Sequence, residues 1–118
     1  MSVRESLHGT WDWADVPARC GNDAGTYAFA ADGRTLTVEV PAGAYFDTTA
    51  AGSRLTYEIL AEPAGGLRVR AVGETRRTAT GAPVEWEIVM LDQDTFCWHR
   101  TDWQAGGCTK PLARCKGE

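Results

Sequence analysis

Toward its carboxyl end the chain reads Phe96-Cys97-Trp98-His99-Arg100-Thr101-Asp102-Trp103, and near its amino end it reads Gly9-Thr10-Trp11-Asp12-Trp13. In both stretches aromatic side chains recur at every second position, the spacing that puts them on one face of a β-strand. We predict that these two segments are the first and last strands of one sheet. If they pair, the sheet closes into a barrel and keeps no free edge.

Short strands joined by turns are predicted between these two segments. Asp32-Gly33 is typical of a hairpin turn, because it tolerates the positive φ that such turns require. Strand signals recur about every ten residues, and no amphipathic helical pattern exceeds two turns. The sequence therefore predicts an all-β, closed, up-and-down antiparallel barrel of about eight strands. The secondary structure of segment 41–53 is ambiguous, and Tyr45 and Phe46 could form a short strand within it. The predicted inward set is Trp11, Trp13, Tyr27, Phe29, Leu36, Val38, Leu55, Tyr57, Ile59, Val69, Trp86, Ile88, Met90, Phe96 and Trp98.

The outward positions are rich in Thr, Glu and Arg. In one predicted hairpin Arg68 or Arg70 lies across from Glu85 or Glu87, which would set the strand register. With 118 residues, the chain is expected to be a single domain, 1–118, whose tail (about 104–118) is otherwise structureless and is tied down by disulfides.

Charge and hydropathy exclude several classes of partner. The net charge is −4 and the pI about 5.1, with basic residues scattered, so nucleic acid is not expected as a partner. No apolar run approaches the roughly 18 residues that would span a bilayer. The first ten residues lack an apolar signal region, so either the chain is cytoplasmic or a signal peptide has been removed.

The four cysteines, Cys20, Cys97, Cys108 and Cys115, favour two disulfides and an oxidising compartment, hence a periplasmic or secreted protein. Scattered reduced thiols are the competing interpretation. The spacings do not match a zinc site, even with His99 nearby. Our preferred pairing is Cys20–Cys97 with Cys108–Cys115, because the first two would lie at one barrel end. The alternative ties Cys97 and Cys20 to the tail cysteines.

Two motifs resemble the lipocalin-like, or calycin, barrels. They are Gly9-Thr10-Trp11 on the first strand and Arg100 on the last. The resemblance implies that Trp11 and Arg100 close the barrel floor, with the guanidinium over the indole and hydrogen-bonded to main chain.

A second resemblance concerns other segments, which are similar to small exported bacterial proteins of uncharacterised function. It implies an exported location and supplies no activity. The segments are Glu74-Thr75-Arg76-Arg77, Cys97–Trp103 and Gly107-Cys108-Thr109-Lys110.

A barrel of this size either encloses one small apolar or aromatic ligand or is filled by its own side chains. Five Trp in 118 residues, with few Leu and Ile, favour a cavity lined by aromatic rings. We therefore predict non-catalytic binding of such a ligand, with no cofactor. The candidate ligand-binding residues are Trp13, Tyr27, Phe29, Tyr57, Trp86, Met90 and Trp98.

The sequence offers little for catalysis. His99 could act as a base or metal ligand with Asp102 or His8, but the favoured interpretation is a surface histidine hydrogen-bonded to a neighbouring strand. No nucleophile elbow, paired carboxylates or metal-ligand spacing is present. Haem binding through His8 or His99 lacks an apolar setting. The sequence therefore favours a non-catalytic protein without a metal site.

The alternative function is protein binding. The 41–53 segment and the tail, with Ala105-Gly106-Gly107 and Lys110-Pro111, could form a surface that plugs the cleft of a secreted hydrolase such as a protease or lysozyme. The acidic net charge would suit a basic target.

Overall fold

The computed structural model describes residues 3–14, 24–39 and 54–115. Within these ranges no helix is long and apolar enough to cross a membrane. The described part of the chain contains one helix, α1 (Val3–Leu7). The strands are β1 (Gly9–Trp13), β2 (Gly25–Phe29), β3 (Thr35–Glu39), β4 (Arg54–Ala61), β5 (Gly66–Ala71), β6 (Trp86–Asp92), β7 (Thr95–Arg100) and β8 (Leu112–Arg114).

The eight strands form a closed barrel in chain order, and every neighbouring pair is antiparallel. The predicted fold class is confirmed. The predicted closing contact is wrong: β1 pairs with β8, in the register Trp11↔Arg114 and Trp13↔Leu112, and not with the strand that carries His99 and Arg100. The tail is therefore not structureless, because it supplies β8. The proposed strand at Tyr45 and Phe46 lies outside the described residues.

The hairpins have the predicted chemistry. Gly33 has φ 72°, the left-handed conformation that the turn between β2 and β3 requires. Between β5 and β6, Arg68 and Arg70 lie 3.7 Å from Glu87 and Glu85 respectively, which confirms the expected cross-strand pairs. Since these pairs are partly exposed, they specify register more than they add stability.

Alternation places the apolar face of every strand inside. Most of the predicted inward set is buried, whereas Trp13, Phe29, Ile59 and Met90 are only partly buried and pack against the core. Five residues of the core cluster are missing from the predicted inward set: Leu7 on α1, Leu67 and Ala71 on β5, Val84 before β6, and Leu112 on β8. Leu7 belongs to the core because α1 packs against β2 and β5.

The barrel has two different ends. At the closed end lie α1 and the turns β2–β3, β4–β5 and β6–β7, and Trp11 Nε1 donates a 2.8 Å hydrogen bond to the Leu7 carbonyl. At the opposite end, which we name the open end because α1 does not lie there, β1, β3, β5 and β7 terminate, and the β1–β2 and β3–β4 connections include residues outside the described ranges. The described connections there are 72–85, between β5 and β6, and 101–111, between β7 and β8.

Candidate functional site

Closure of the barrel floor depends on Arg114. Its guanidinium carbon lies 4.5 Å from the centre of the Trp11 ring. Its side chain donates to the carbonyls of Ser6, His8 (3.3 Å) and Gln93 (3.0 Å). This is the position that the calycin resemblance gave to Arg100. The structure instead places Arg100 at the other end of the barrel, because β8, and not β7, is the neighbour of β1.

Aromatic rings contact one another from the closed end to the open end. Phe96 packs edge-on against Trp11, with 4.7 Å between ring centroids, and lies 5.5 Å from Tyr27. Trp98 is 6.3 Å from Tyr27. At the open end Trp86 follows, 6.1 Å from Trp98. The sequence places these rings on inward positions of β1, β2, β6 and β7, so they contact one another inside the barrel, mostly edge to face.

Exposure of these rings rises toward the open end. Tyr27 is 1% exposed, Trp98 6% and Trp86 8%. Trp103, on the 101–111 connection, is 39% exposed and packs edge-on against Trp86 at 5.5 Å. Trp98, Trp86 and Trp103 therefore form a tryptophan series that leads from the interior to the surface.

The Tyr27 hydroxyl is buried among these rings, and apart from a poorly aligned contact with the Trp98 side chain no described residue hydrogen-bonds to it. Burial raises the pKa of Tyr27 far above its usual value, and the neighbouring Tyr57 hydroxyl adds to the effect. A buried hydroxyl without a partner costs free energy, so this group is a polar point that a ligand atom could satisfy.

A buried carboxylate lies on the 72–85 connection. The side chain of Glu74 is 1% exposed, and its two oxygens accept hydrogen bonds of 2.9 Å from Arg76 Nε and Nη2. The Arg76 guanidinium carbon lies 5.8 Å from the centre of the Trp86 ring. Burial alone would raise the pKa of Glu74, but the hydrogen bonds and charge of Arg76 outweigh it and hold that pKa below its usual value.

A second arginine, Arg100, also belongs to the open end. It is the cross-strand partner of Trp86 and follows Trp98 by two positions on β7, so its side chain starts on the inward face. Its Nε lies 2.8 Å from Asp102 Oδ1. His99 and Asp102 are not brought together as a catalytic pair, since Asp102 is the ion-pair partner of Arg100 and His99 Nδ1 hydrogen-bonds to the Gly107 carbonyl.

The 101–111 connection is attached to β7 by covalent and hydrogen bonds. Cys97 and Cys108 form a disulfide with 5.8 Å between their Cα atoms. Thr109 donates its N–H to the Trp98 carbonyl at 2.8 Å, and its hydroxyl accepts from the Trp98 N–H at 3.0 Å. The preferred pairing of Cys97 with Cys20 is therefore wrong, and the alternative, in which Cys97 joins a tail cysteine, describes this bond.

The described ranges show the bonding state of Cys115 but not that of Cys20. Cys115 is disulfide-bonded, so its predicted bond to Cys108 is also wrong, and no described cysteine is free. Cys20 lies outside the described residues. Disulfides of this kind are typical of an oxidising environment.

The seven candidate ligand-binding residues separate into two groups. Tyr27, Tyr57, Trp86 and Trp98 belong to one set of contacting rings, in which Tyr57 lies 5.5 Å from Trp98. The other three lie apart. Phe29 is at the closed end under Arg4, Met90 is also at that end, and Trp13 ends β1 opposite Leu112.

Met90 lines a cavity of about 440 Å³ between α1 and the turns of the closed end. The acidic groups of this cavity are already engaged. Glu62 accepts two 3.0 Å hydrogen bonds from Arg4, and Asp92 accepts one of 2.7 Å from the Asp94 N–H. We therefore assign the candidate ligand site to the open end.

Three residues of the open end were not among the predicted site residues: Glu74, Arg76 and Trp103. Only the folded chain brings Arg76 and Trp103 to Trp86, because they come from two different connections, and Glu74 belongs to this group as the partner of Arg76. Within the described ranges no group of three or more His, Cys, Asp or Glu is arranged to hold a metal ion. No protein-family model matches this chain. Searches of the curated proteins and of the solved structures also find no match to it.

Proposed function

We propose that this chain is a single lipocalin-like domain that binds a small aromatic or apolar molecule at the open end of its barrel, without catalysis. Trp86 and Trp98 form the platform for the ligand, Trp103 flanks it, and Tyr27 and Tyr57 lie beneath it.

The observation that carries this proposal is the graded exposure of the tryptophan series. The interior rings are almost completely buried, while Trp86 and Trp98 keep a small exposed area and Trp103 a large one. A ligand site in a small barrel is expected at the mouth, lined by aromatic side chains with a few polar groups. The unpartnered Tyr27 hydroxyl supports the same location, because it offers a hydrogen bond that no described side chain takes.

Intrinsic tryptophan fluorescence tests the proposal directly. Titration with neutral bicyclic aromatics should change the emission of Trp86 and Trp98 in a saturable manner, and calorimetry should give the same dissociation constant. Trp86→Leu should weaken binding by about fivefold, since an aromatic contact of this kind contributes on the order of 1 kcal/mol. Phe29→Leu, at the closed end, is the matched control and should leave binding unchanged. The absence of a saturable response to a broad library of aromatic compounds would contradict the proposal.

The closed barrel supports the assignment to the lipocalin-like class, and so does the contact of Arg114 with Trp11. The Cys97–Cys108 disulfide supports an exported protein, periplasmic or secreted, of the bacterial type that the sequence resembles. Thiol alkylation in intact host cells tests the location, because a protein in a reducing compartment would present alkylated Cys97 and Cys108.

A second candidate function is binding of a protein, such as a secreted protease or lysozyme. The specific observation in its favour is Trp103, an exposed tryptophan on a connection held by the Cys97–Cys108 disulfide. A rigid exposed aromatic side chain is a common interface anchor. If this function holds, Trp103→Ala should abolish inhibition of the target enzyme, whereas Val72→Ala, an exposed apolar residue on another connection, should not.

A further inference from the structure

We propose that the ligand of the open end carries a carboxylate group and that Arg100 binds it. This inference rests on the proposed function and specifies its ligand class: an aromatic carboxylic acid, with its ring on Trp86 and Trp98 and its anionic group on the guanidinium of Arg100.

The position of Arg100 in the sheet is the first reason. Residues 96, 98 and 100 alternate onto the inward face of β7, and the first two are core aromatics. Arg100 is therefore the inward residue at the point where β7 reaches the open end, directly across from Trp86. A ring lying on Trp86 and Trp98 would have its substituent close to this guanidinium.

The second reason is that, among the described residues, the guanidinium of Arg100 pairs with Asp102 alone. An arginine side chain carries five N–H donors. The described partner of Arg100 is Asp102, whose Oδ1 lies 2.8 Å from Nε. The buried Nε nevertheless makes no hydrogen bond, so the pair is held by charge without good alignment. Asp102 thus occupies one side of the guanidinium, and among the described residues the Nη groups are left for a second acceptor.

Two other arginines that contact core tryptophans, Arg76 and Arg114, do not offer such donors. Glu74 engages Arg76 through both Nε and Nη2, and Arg114 donates to three carbonyls and pairs with Asp94. Of these three arginines, Arg100 is the one with capacity for a ligand anion. A planar carboxylate fits the fork of the guanidinium in a bidentate manner, and partial burial strengthens the contact.

A matched pair of probes tests this inference: naphthalene-2-carboxylate and its neutral primary amide, titrated at pH 7 and low salt with fluorescence and calorimetry as readouts. Wild-type protein should bind the acid about tenfold more tightly than the amide, as expected for a charge-assisted hydrogen bond. Arg100→Gln should reduce the affinity for the acid to that for the amide and leave the amide unaffected. Arg70→Gln, on the outward face of β5, is the control and should change neither.

Two further variants keep the test decisive if Arg100→Gln does not fold. Arg100→Lys keeps the charge but loses the fork, so it should retain only part of the preference for the acid. Asp102→Asn removes the competing carboxylate and should bind the acid at least as tightly as wild type. Weaker acid binding by Asp102→Asn would contradict the inference.

The outcomes separate the inference from the proposed function. Equal affinity of wild type for acid and amide would overturn the role of Arg100 while ligand binding at the open end stands. Failure of wild type to bind either probe or any neutral aromatic would overturn both.

Discussion

The guanidinium of Arg114 lies 4.5 Å from the centre of the Trp11 ring, and the two residues face each other as register partners on β8 and β1. The same side chain reaches carbonyls before β1 and in the β6–β7 turn. One arginine therefore connects the helix, the last turn of the closed end and both strands of the closing pair.

Replacing Arg114 with lysine should destabilise the protein by about 2 kcal/mol, because lysine keeps the charge but cannot make several directed hydrogen bonds and lie flat on the indole. Chemical denaturation measures the change in the free energy of unfolding. Arg54→Lys is the control: its pair with Glu39 is well exposed, and the expected change is below about 1 kcal/mol. Equal effects of the two substitutions would contradict this role for Arg114.

The Glu74–Arg76 pair should make stability depend on pH on the acid side. The pKa of Glu74 is lowered in the folded protein, so its contribution is complete above the unfolded pKa of about 4.5 and is lost as pH falls through the folded value. At pH 7, Glu74→Gln should cost about 2 kcal/mol, because Arg76 loses its partly buried partner. The difference in unfolding free energy between wild type and variant should shrink toward pH 3. A difference that does not vary with pH would contradict the ionic role of Glu74.

The Cys97–Cys108 disulfide should hold the 101–111 connection against β7. The double substitution Cys97→Ser with Cys108→Ser should cost about 2–3 kcal/mol, as expected for a loop closed over a sequence separation of 11. It should also shift the fluorescence of Trp103 toward that of a solvated indole and speed proteolysis between 101 and 111. Non-reducing peptide mapping should recover a Cys97–Cys108 peptide, and a Cys20–Cys97 peptide would contradict the structure.

Tyr27→Phe should leave the ligand-free protein as stable as wild type or more stable by about 1 kcal/mol, since it removes a buried hydroxyl without a partner. Because burial raises the pKa of Tyr27, its hydroxyl should stay protonated while the protein is folded. Alkaline titration of tyrosine absorbance in the folded state should therefore be the same for wild type and variant. The free energy of unfolding of wild type should fall above about pH 10, where Tyr27 can ionise in the unfolded state. A variant that is less stable than wild type by about 2 kcal/mol or more at neutral pH would contradict the prediction, because it would show that the hydroxyl has a hydrogen-bond partner.

Period-two alternation was sufficient to predict the fold class and most of the core, because burial on one face constrains every second residue of a strand. It worked for β3, where Leu36 and Val38 alternate with threonines, and for the pairing of Arg68 with Glu87. The four rings Tyr27, Tyr57, Trp86 and Trp98 followed from the same pattern.

The alternation of apolar and polar residues could not identify an element that is too short to show a repeat. β8 has three residues, and α1 has five, so neither has a period that can be recognised. Without β8 the sequence assigned the closing role to Arg100 and misjudged which cysteines are neighbours. The partners of Glu74 and Trp103 could not be predicted either, since loop side chains meet through tertiary structure and not through a repeat.

The short length of β8 has a consequence for how the barrel opens. β8 joins β7 through two register pairs and β1 through three, far fewer than the pairs that connect β3 with β4 or β6 with β7. Local opening should therefore begin between β7 and β8, and the amide hydrogens there should exchange with solvent before those of the other strands. Because Cys108 and Cys115, on either side of β8, are both disulfide-bonded, exchange of β8 between copies should require reduction: the reduced protein at high concentration should form dimers in this way, since an opened β8 exposes two unpaired strand edges.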